Sequence, residues 1–427
     1  MAKPKLALVP STIGTKVYSV LPSDGDGDFT FTRATKATRI NSLGLIEEVL
    51  ETRNRLNYSL LDGKVQECPH LLLEPVATNL EKYSEFFDYS HWTKLNINVT
   101  TSFIAPDGTL GADKLTENTT TGTHAFYATG FAISNSQSYT ASIFVKYDGR
   151  QWVHLWFQYG STSKRAFFDV KNGVKGSVES GVTSKIENYG NGWYRISATA
   201  TSDGTTGRFR FYLAEHDGDT NGYAGDGSSG VYVWGAMAEK NSFATSYIPT
   251  TTGQVTRNAE TAVGSGRAST FNDSEGILMT EISALADDGT NRQSALSDNS
   301  SSDRVMINLH ATSNQIQGYI TNNVGEQADM RTTVVDTTLS NKIVVKYKLN
   351  DCALWVNGFE LATDTSATML SGLQVFDYDN YGGSLPFYAR VKQLQYFDSV
   401  LSDAQLEELT SWVSFREMAN GQGYIIE

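Results

Sequence analysis

The chain has 427 residues, 40% of them hydrophobic and 11% aromatic, with 34 Lys plus Arg against 47 Asp plus Glu and a net charge of −13. That length exceeds what one core organises, so two or three domains are expected, and the apolar content excludes general disorder. The acidic balance leaves no electrostatic footprint for nucleic acid, and no stretch approaches the ~18 apolar residues of a membrane span. Two distant cysteines, Cys68 and Cys352, cannot staple a domain. The N-terminal MAKPKLALVPSTIG has too short an apolar run for a signal peptide, so synthesis as a soluble cytoplasmic polypeptide is expected. The 37 glycines, with many Thr, Ser and Asn, favour strands joined by polar turns. The fold class read from this is all-β.

In chain order, residues 1–80 form a small irregular region: Asp24, Asp26 and Asp28 alternate with glycines in a turn, and Phe29-Thr30-Phe31-Thr32 alternates like a short strand. Residues 81–250 show two-residue alternation broken by Gly and Asp, the pattern of a β-sandwich. Its sharpest segment is QWVHLWFQY, residues 151–159. As a strand it turns Val153, Leu155 and Phe157 to one face and Trp152, His154 and Trp156 to the other. The first set is the natural core face. The second, with Arg208, Arg210 and Tyr212 from another strand, is a candidate glycan-binding platform, because indole rings stack on the apolar faces of sugars while the polar groups hydrogen-bond hydroxyls. Packing against a subunit or a second layer is set ahead of that reading, since Trp is highly buried on average. Trp193, Trp234 and Trp355 read as ordinary sandwich-core residues.

Residues 250–254, TTTGQ, read as a linker. A second alternating series fills residues 258–412, with a hairpin turn at Asn350-Asp351 and a capping box, Ser402 with Gln405, starting a short helix that ends near Thr410. Residues 413–427 are left over as a tail.

Several strings occur in a telling order: Phe31-Thr32-Arg33-Ala34-Thr35, Arg39-Ile40-Asn41, Gly44-Leu45-Ile46-Glu47, then LLLEPVATNL (71–80), Trp92, and finally Tyr247-Ile248-Pro249-Thr250 after Val231–Ala236. This arrangement resembles bacteriophage virion proteins of the fibre, spike or appendage type, in which a leader precedes a Trp-containing sandwich like a carbohydrate-binding module. The hairpin ending in Val356-Asn357-Gly358, with the late strand near residues 391–397, resembles the concanavalin A-like, laminin-G-type jelly roll. The resemblance implies two jelly-roll-type β-sandwich domains behind an N-terminal virion-docking region (1–80), assembly as a homotrimer, contact with other virion proteins through that region, and residence in the virion. It brings no catalytic residue.

The residues themselves weigh against hydrolysis. Neither Glu-x-Asp-x-Glu nor Glu-x-Asp-x-x-Glu, the strand-borne carboxylate pairs of concanavalin A-like glucanases, occurs here. No nucleophile elbow, P-loop or His-Glu-x-x-His string is present, and the six histidines are scattered without ligand spacing. Asp217, Asp219 and Asn221 match the start of an EF-hand loop and offer a structural calcium site, but Ser228 stands where the bidentate Glu belongs, so a plain Asp/Gly turn is preferred. No other cofactor is expected. The leading expectation is a non-enzymatic structural component of a phage particle, tail or head, contacting host-surface polysaccharide. A dedicated glycan receptor-binding lectin and a polysaccharide depolymerase stand as alternatives.

Overall fold

The computed structural model describes residues 3–11, 13–383, 385–412 and 417. It is all-β, with one helix among the described residues, Asp403–Thr410, and no helix there long and apolar enough to cross a membrane. The tail expected over 413–427 lies outside the described residues except for Glu417.

The first sandwich packs two antiparallel sheets. One runs Ile97–Phe103, Ala112–Glu117, Gly230–Glu239, Ser138–Asp148, Trp193–Thr201, Val182–Gly190. The other runs Trp92–Leu95, His124–Ala128, Arg210–Ala214, Trp152–Tyr159, Ser163–Asp169, Val174–Val178, with the short strand Thr206–Arg208 also on Trp152–Tyr159. Val153, Leu155, Phe157, Phe209, Phe211 and Leu213 all lie in the core between them, as the alternation requires. Trp193 and Trp234 are buried elsewhere than expected. They occupy the back of the first sheet with Phe144, Tyr247, Ile248 and Ile46, so a second apolar layer seals that sheet.

The second sandwich sets the sheet Phe359–Asp364, Cys352–Val356, Asn341–Lys348, Glu275–Ala284, Ala389–Phe397 against Gly325–Thr333, Gln315–Asn322, Arg304–Leu309, Arg292–Ser297, Val375–Asp377. Asn357 and Gly358, at φ 52° and 94°, make the two-residue turn between paired Val356 and Phe359, a conformation in which Asn and Gly cost least. The expected helix is there, its capping box formed by Ser402 and Gln405, and it covers Trp355 on the sheet's back with Leu406 and Met279. Trp355 is thus a helix-packing residue rather than part of the inter-sheet core.

Residues 1–80 depart from the expected separate docking region. Leu6–Leu8 pairs with the strand Ala389–Phe397, Leu6 opposite Tyr396, and His70–Leu72 joins the same strand's far end with Leu56–Asn57 beyond it. Leu6, Leu8, Phe29, Phe31, Leu71 and Leu73 lie in the second sandwich's core. The first sandwich is therefore inserted between two parts of the second. The chain enters and leaves it through a two-stranded ladder, Ala77–Asn79 against Val255–Arg257, so the expected linker runs directly into paired structure. Thr250 is itself buried, its Oγ1 donating to the Glu81 carbonyl at 2.8 Å.

The strings that carry the resemblance meet at this junction. Arg33, Arg55, Glu74, Arg257 and Glu260 form a buried charge network. Arg33 Nη1 donates to Glu260 Oε1 at 2.7 Å, and Arg55 Nε donates to the same oxygen at 2.7 Å. Arg55 Nη2 bridges Glu260 Oε2 and Glu74 Oε2, while Arg257 Nη1 lies 2.7 Å from Glu74 Oε2. Burial opposes charge on Glu74, yet Arg257, Arg55 and two bonds from Ser246 hold its carboxyl well below the usual range. Asn79 completes the joint by donating to the Ala236 and Ile248 carbonyls. These residues build the fold; none of them faces solvent.

Candidate functional site

The outward face of the sheet carrying Trp152–Tyr159 holds all six aromatic and polar residues singled out from the sequence. Register explains why. His154 sits opposite Tyr212 on one side and Phe167 on the other, and Gln158 opposite Arg208. Cross-strand partners share a face, so Arg208, Arg210 and Tyr212 fall in line with Trp152, His154 and Trp156.

The platform is less open than the alternation suggested. His154 is only 3% exposed, its ring stacked on Tyr212 at 4.7 Å and 9° and lying 4.5 Å from Phe167. Burial first, and then Arg165, push its pKa down to about 3, so it is a neutral packing residue rather than a donor offered to a ligand. Tyr212 is buried as well, and burial raises its phenol. Trp152 is half-covered from the side of Val174–Val178: a Cβ added at Gly176 would stand 2.7 Å from Trp152 Cζ3 and 2.4 Å from Asp217 Oδ1. Only a glycine allows this approach.

That contact also accounts for the acidic loop. Asp217 Oδ1 accepts the Ser177 backbone N–H at 2.8 Å, tying the loop to the edge strand, and Asp219 Oδ1 accepts the Asn221 N–H at 2.9 Å in a local turn. The carboxylates of Asp217 and Asp219 each accept from the backbone. Among the described residues no group of three or more His, Cys, Asp or Glu side chains is placed to hold a metal ion.

The accessible part of the face centres on Trp156. Arg165 Cζ lies 4.5 Å from the ring and Arg210 Cζ 4.7 Å, and Arg210 is also 5.9 Å from the Tyr127 ring. Tyr127 and Arg210 are paired across strands, as are Trp156 and Arg165. The result is a row, Tyr127–Arg210–Trp156–Arg165, half-buried along its length, with exposed Arg208 beside it. Trp156 Nε1, His154 Nδ1 and Arg210 Nε are buried polar atoms without a hydrogen-bond partner among the described residues. Carboxylates at the rim are engaged: Glu179 with Arg165 at 2.8 Å, and Asp169 with Gln151, Lys171 and Asn172. Tyr127 and Arg165 were missed in the sequence. Their signal, alternation within HAFYA and SKRAFFD, becomes specific only when the register to Trp152–Tyr159 is known.

No protein-family model matches the chain, and no curated protein matches it. Among solved structures, the chain is similar to the CBM40 of a Ruminococcus gnavus IT-sialidase bound to alpha2,3 sialyllactose, at 16% identity over 35% of this chain and 94% of that one, TM-score 0.29. It is similar also to domain 4 of AbnA, a GH43 extracellular arabinanase from Geobacillus stearothermophilus in complex with arabinotriose, at 10% identity over 40% and 84%, TM-score 0.31. Domains LG4-5 of the mouse laminin alpha1 chain match at 9% identity over 65% and 86%, TM-score 0.23. Similarity at this level assigns neither ligand nor activity.

Proposed function

We propose that the chain is a non-catalytic structural subunit of a bacteriophage particle, a fibre, spike or appendage protein, that contacts host-surface glycan through the face around Trp156. The observation that carries the contact is the Tyr127–Arg210–Trp156–Arg165 row: a half-buried indole held between two guanidiniums on the rigid middle strands of a sheet. Guanidinium donors stacked over an aromatic ring suit a pyranose, whose hydroxyls they hydrogen-bond while its C–H groups meet the accessible part of the indole. The rim carboxylates are bound to neighbours rather than paired across a groove, which favours holding a sugar over cleaving it. The particle assignment rests on the motif strings, and with it go virion residence, a homotrimer and attachment to other virion proteins.

A single stacking site is weak, and repetition on a particle multiplies it through effective concentration. The test is retention of the purified chain on host-cell polysaccharide with Trp156→Ala beside it. Lost retention at an unchanged melting temperature supports the reading; equal retention by both defeats the site. Locating the chain in a density map of an intact particle tests the assembly half, and light scattering tests the trimer.

A further inference from the structure

The Trp156 face concentrates positive charge in an acidic chain. Three arginines, Arg165, Arg208 and Arg210, lie on one face of one sheet, while the whole protein carries −13. Among the described residues, only Arg165 of the three has a carboxylate partner, Glu179. Arg210 reaches neutral groups, Gln158 Oε1 at 3.4 Å and the Tyr212 hydroxyl, and among those residues its buried Nε has no partner. The exposed side chain of Arg208 makes no hydrogen bond or ion pair among the described residues. Like charges brought together without counter-charges repel one another, and the Trp156 ring offsets this only in part through its quadrupole. The net charge of the chain does not oppose an anion here, because the Debye length of about 8 Å at physiological salt screens distant acidic residues while leaving Arg208 and Arg210 in force.

From this arrangement we infer that the face selects acidic glycans, with a sugar carboxylate seated between Arg208 and Arg210, which meet at Gln158 beside Trp156. Planar guanidinium forks match a carboxylate in two parallel hydrogen bonds. A uronic acid or a sialic acid presents such a carboxylate on its sugar ring. The inference rests on the glycan-contact reading and goes further by naming the chemical class.

The experiment measures binding of the full chain, in 0.15 M salt, to polygalacturonate, colominic acid and heparosan, each beside its own carboxyl-reduced form. At least one native polymer is expected to bind about tenfold more tightly than its reduced counterpart. Arg208→Gln, at an exposed position, should lower that affinity at least about fivefold without moving the melting temperature. Equal binding of native and reduced forms overturns the acidic selectivity and leaves glycan contact standing. No binding of either form overturns both. An Arg208→Gln protein that binds the native polymer as the parent does overturns the seat assigned to the carboxylate. Comparable binding of a single-stranded oligonucleotide, lost with the same substitution, overturns the sugar assignment and makes the face a general polyanion site.

Discussion

Replacing Glu260 with Gln tests whether the buried charge network holds the two sandwiches together. Its carboxylate accepts from Arg33 Nη1, from Arg55 Nε and Nη2, and from the Glu74 backbone N–H at 3.0 Å. As built, three guanidiniums face two carboxylates. Glu260→Gln leaves three facing one, and whichever way the amide turns, its NH2 points a donor at donors. Removing one partner of a buried ion pair costs about 3–5 kcal/mol, and the doubled excess of positive charge puts this case at the upper end. Urea unfolding at pH 7, followed by tryptophan fluorescence, measures the loss. Glu275→Gln serves as the control, because the Glu275–Lys348 pair at 3.1 Å is partly solvated and should contribute no more than about 1 kcal/mol. A Glu260→Gln protein that loses less than about 1 kcal/mol at an unchanged urea slope would refute the argument that this junction is held by charge.

Three further outcomes are expected. Limited proteolysis should spare residues 255–257, which lie in a ladder with Ala77–Asn79; rapid cleavage there into two stable halves would contradict the inserted arrangement. Gly176→Ala should cost about 1–3 kcal/mol and shift the emission of Trp152, since its Cβ would overlap Asp217 Oδ1 and the indole; a neutral substitution would show the edge strand free to move. Two buried groups respond to pH in opposite senses. The His154 pKa of about 3 lies below its unfolded value, so its contribution is full above about pH 6.5 and falls on acidification, by about 2 kcal/mol at pH 5. The pKa of Glu81 is raised to about 7, chiefly by burial, so ionising it penalises the fold above that pH and the penalty disappears towards pH 4.5. Glu81→Gln should therefore be more stable than the parent at pH 8 by about 1–3 kcal/mol, with the gap closing by pH 5. A gap constant across that range would remove Glu81 from the account.

Much of the first sandwich was legible because it is local. Alternation along residues 151–159 separated Val153, Leu155 and Phe157 from Trp152, His154 and Trp156 correctly, and the Ser402 box located the helix. What alternation cannot supply is what lies across the sheet. That His154 is sealed by Phe167 and Tyr212, and that Trp156 lies between Arg165 and Arg210, depends on pairing register among three strands. The role of residues 1–80 was illegible for the same reason in stronger form. Leu6–Leu8 has three residues and finds its partner at Leu394 to Tyr396, and no periodicity within a window of ten or fifteen residues records such a pairing. The motif strings were conspicuous without being self-explanatory: Arg33, Glu74 and Arg257 are informative because of one another.

The closure of the second sandwich by its own beginning bears on how the chain is made. The strand Leu6–Leu8 leaves the ribosome long before its hydrogen-bonding partner, Ala389–Phe397. Translation must reach that partner before Leu6, Leu8, Leu71 and Leu73 can be withdrawn from water, whereas the inserted sandwich has all its strands as soon as residue 239 has emerged. Folding during synthesis thus runs from the middle outwards, with the early hydrophobic segment kept waiting. A ribosome that stalls between residues 239 and 389 releases a chain whose inserted sandwich has all its strands and whose sticky N-terminal strands have no sheet to join, so a truncation in that interval leaves exposed the apolar segments that the finished fold buries.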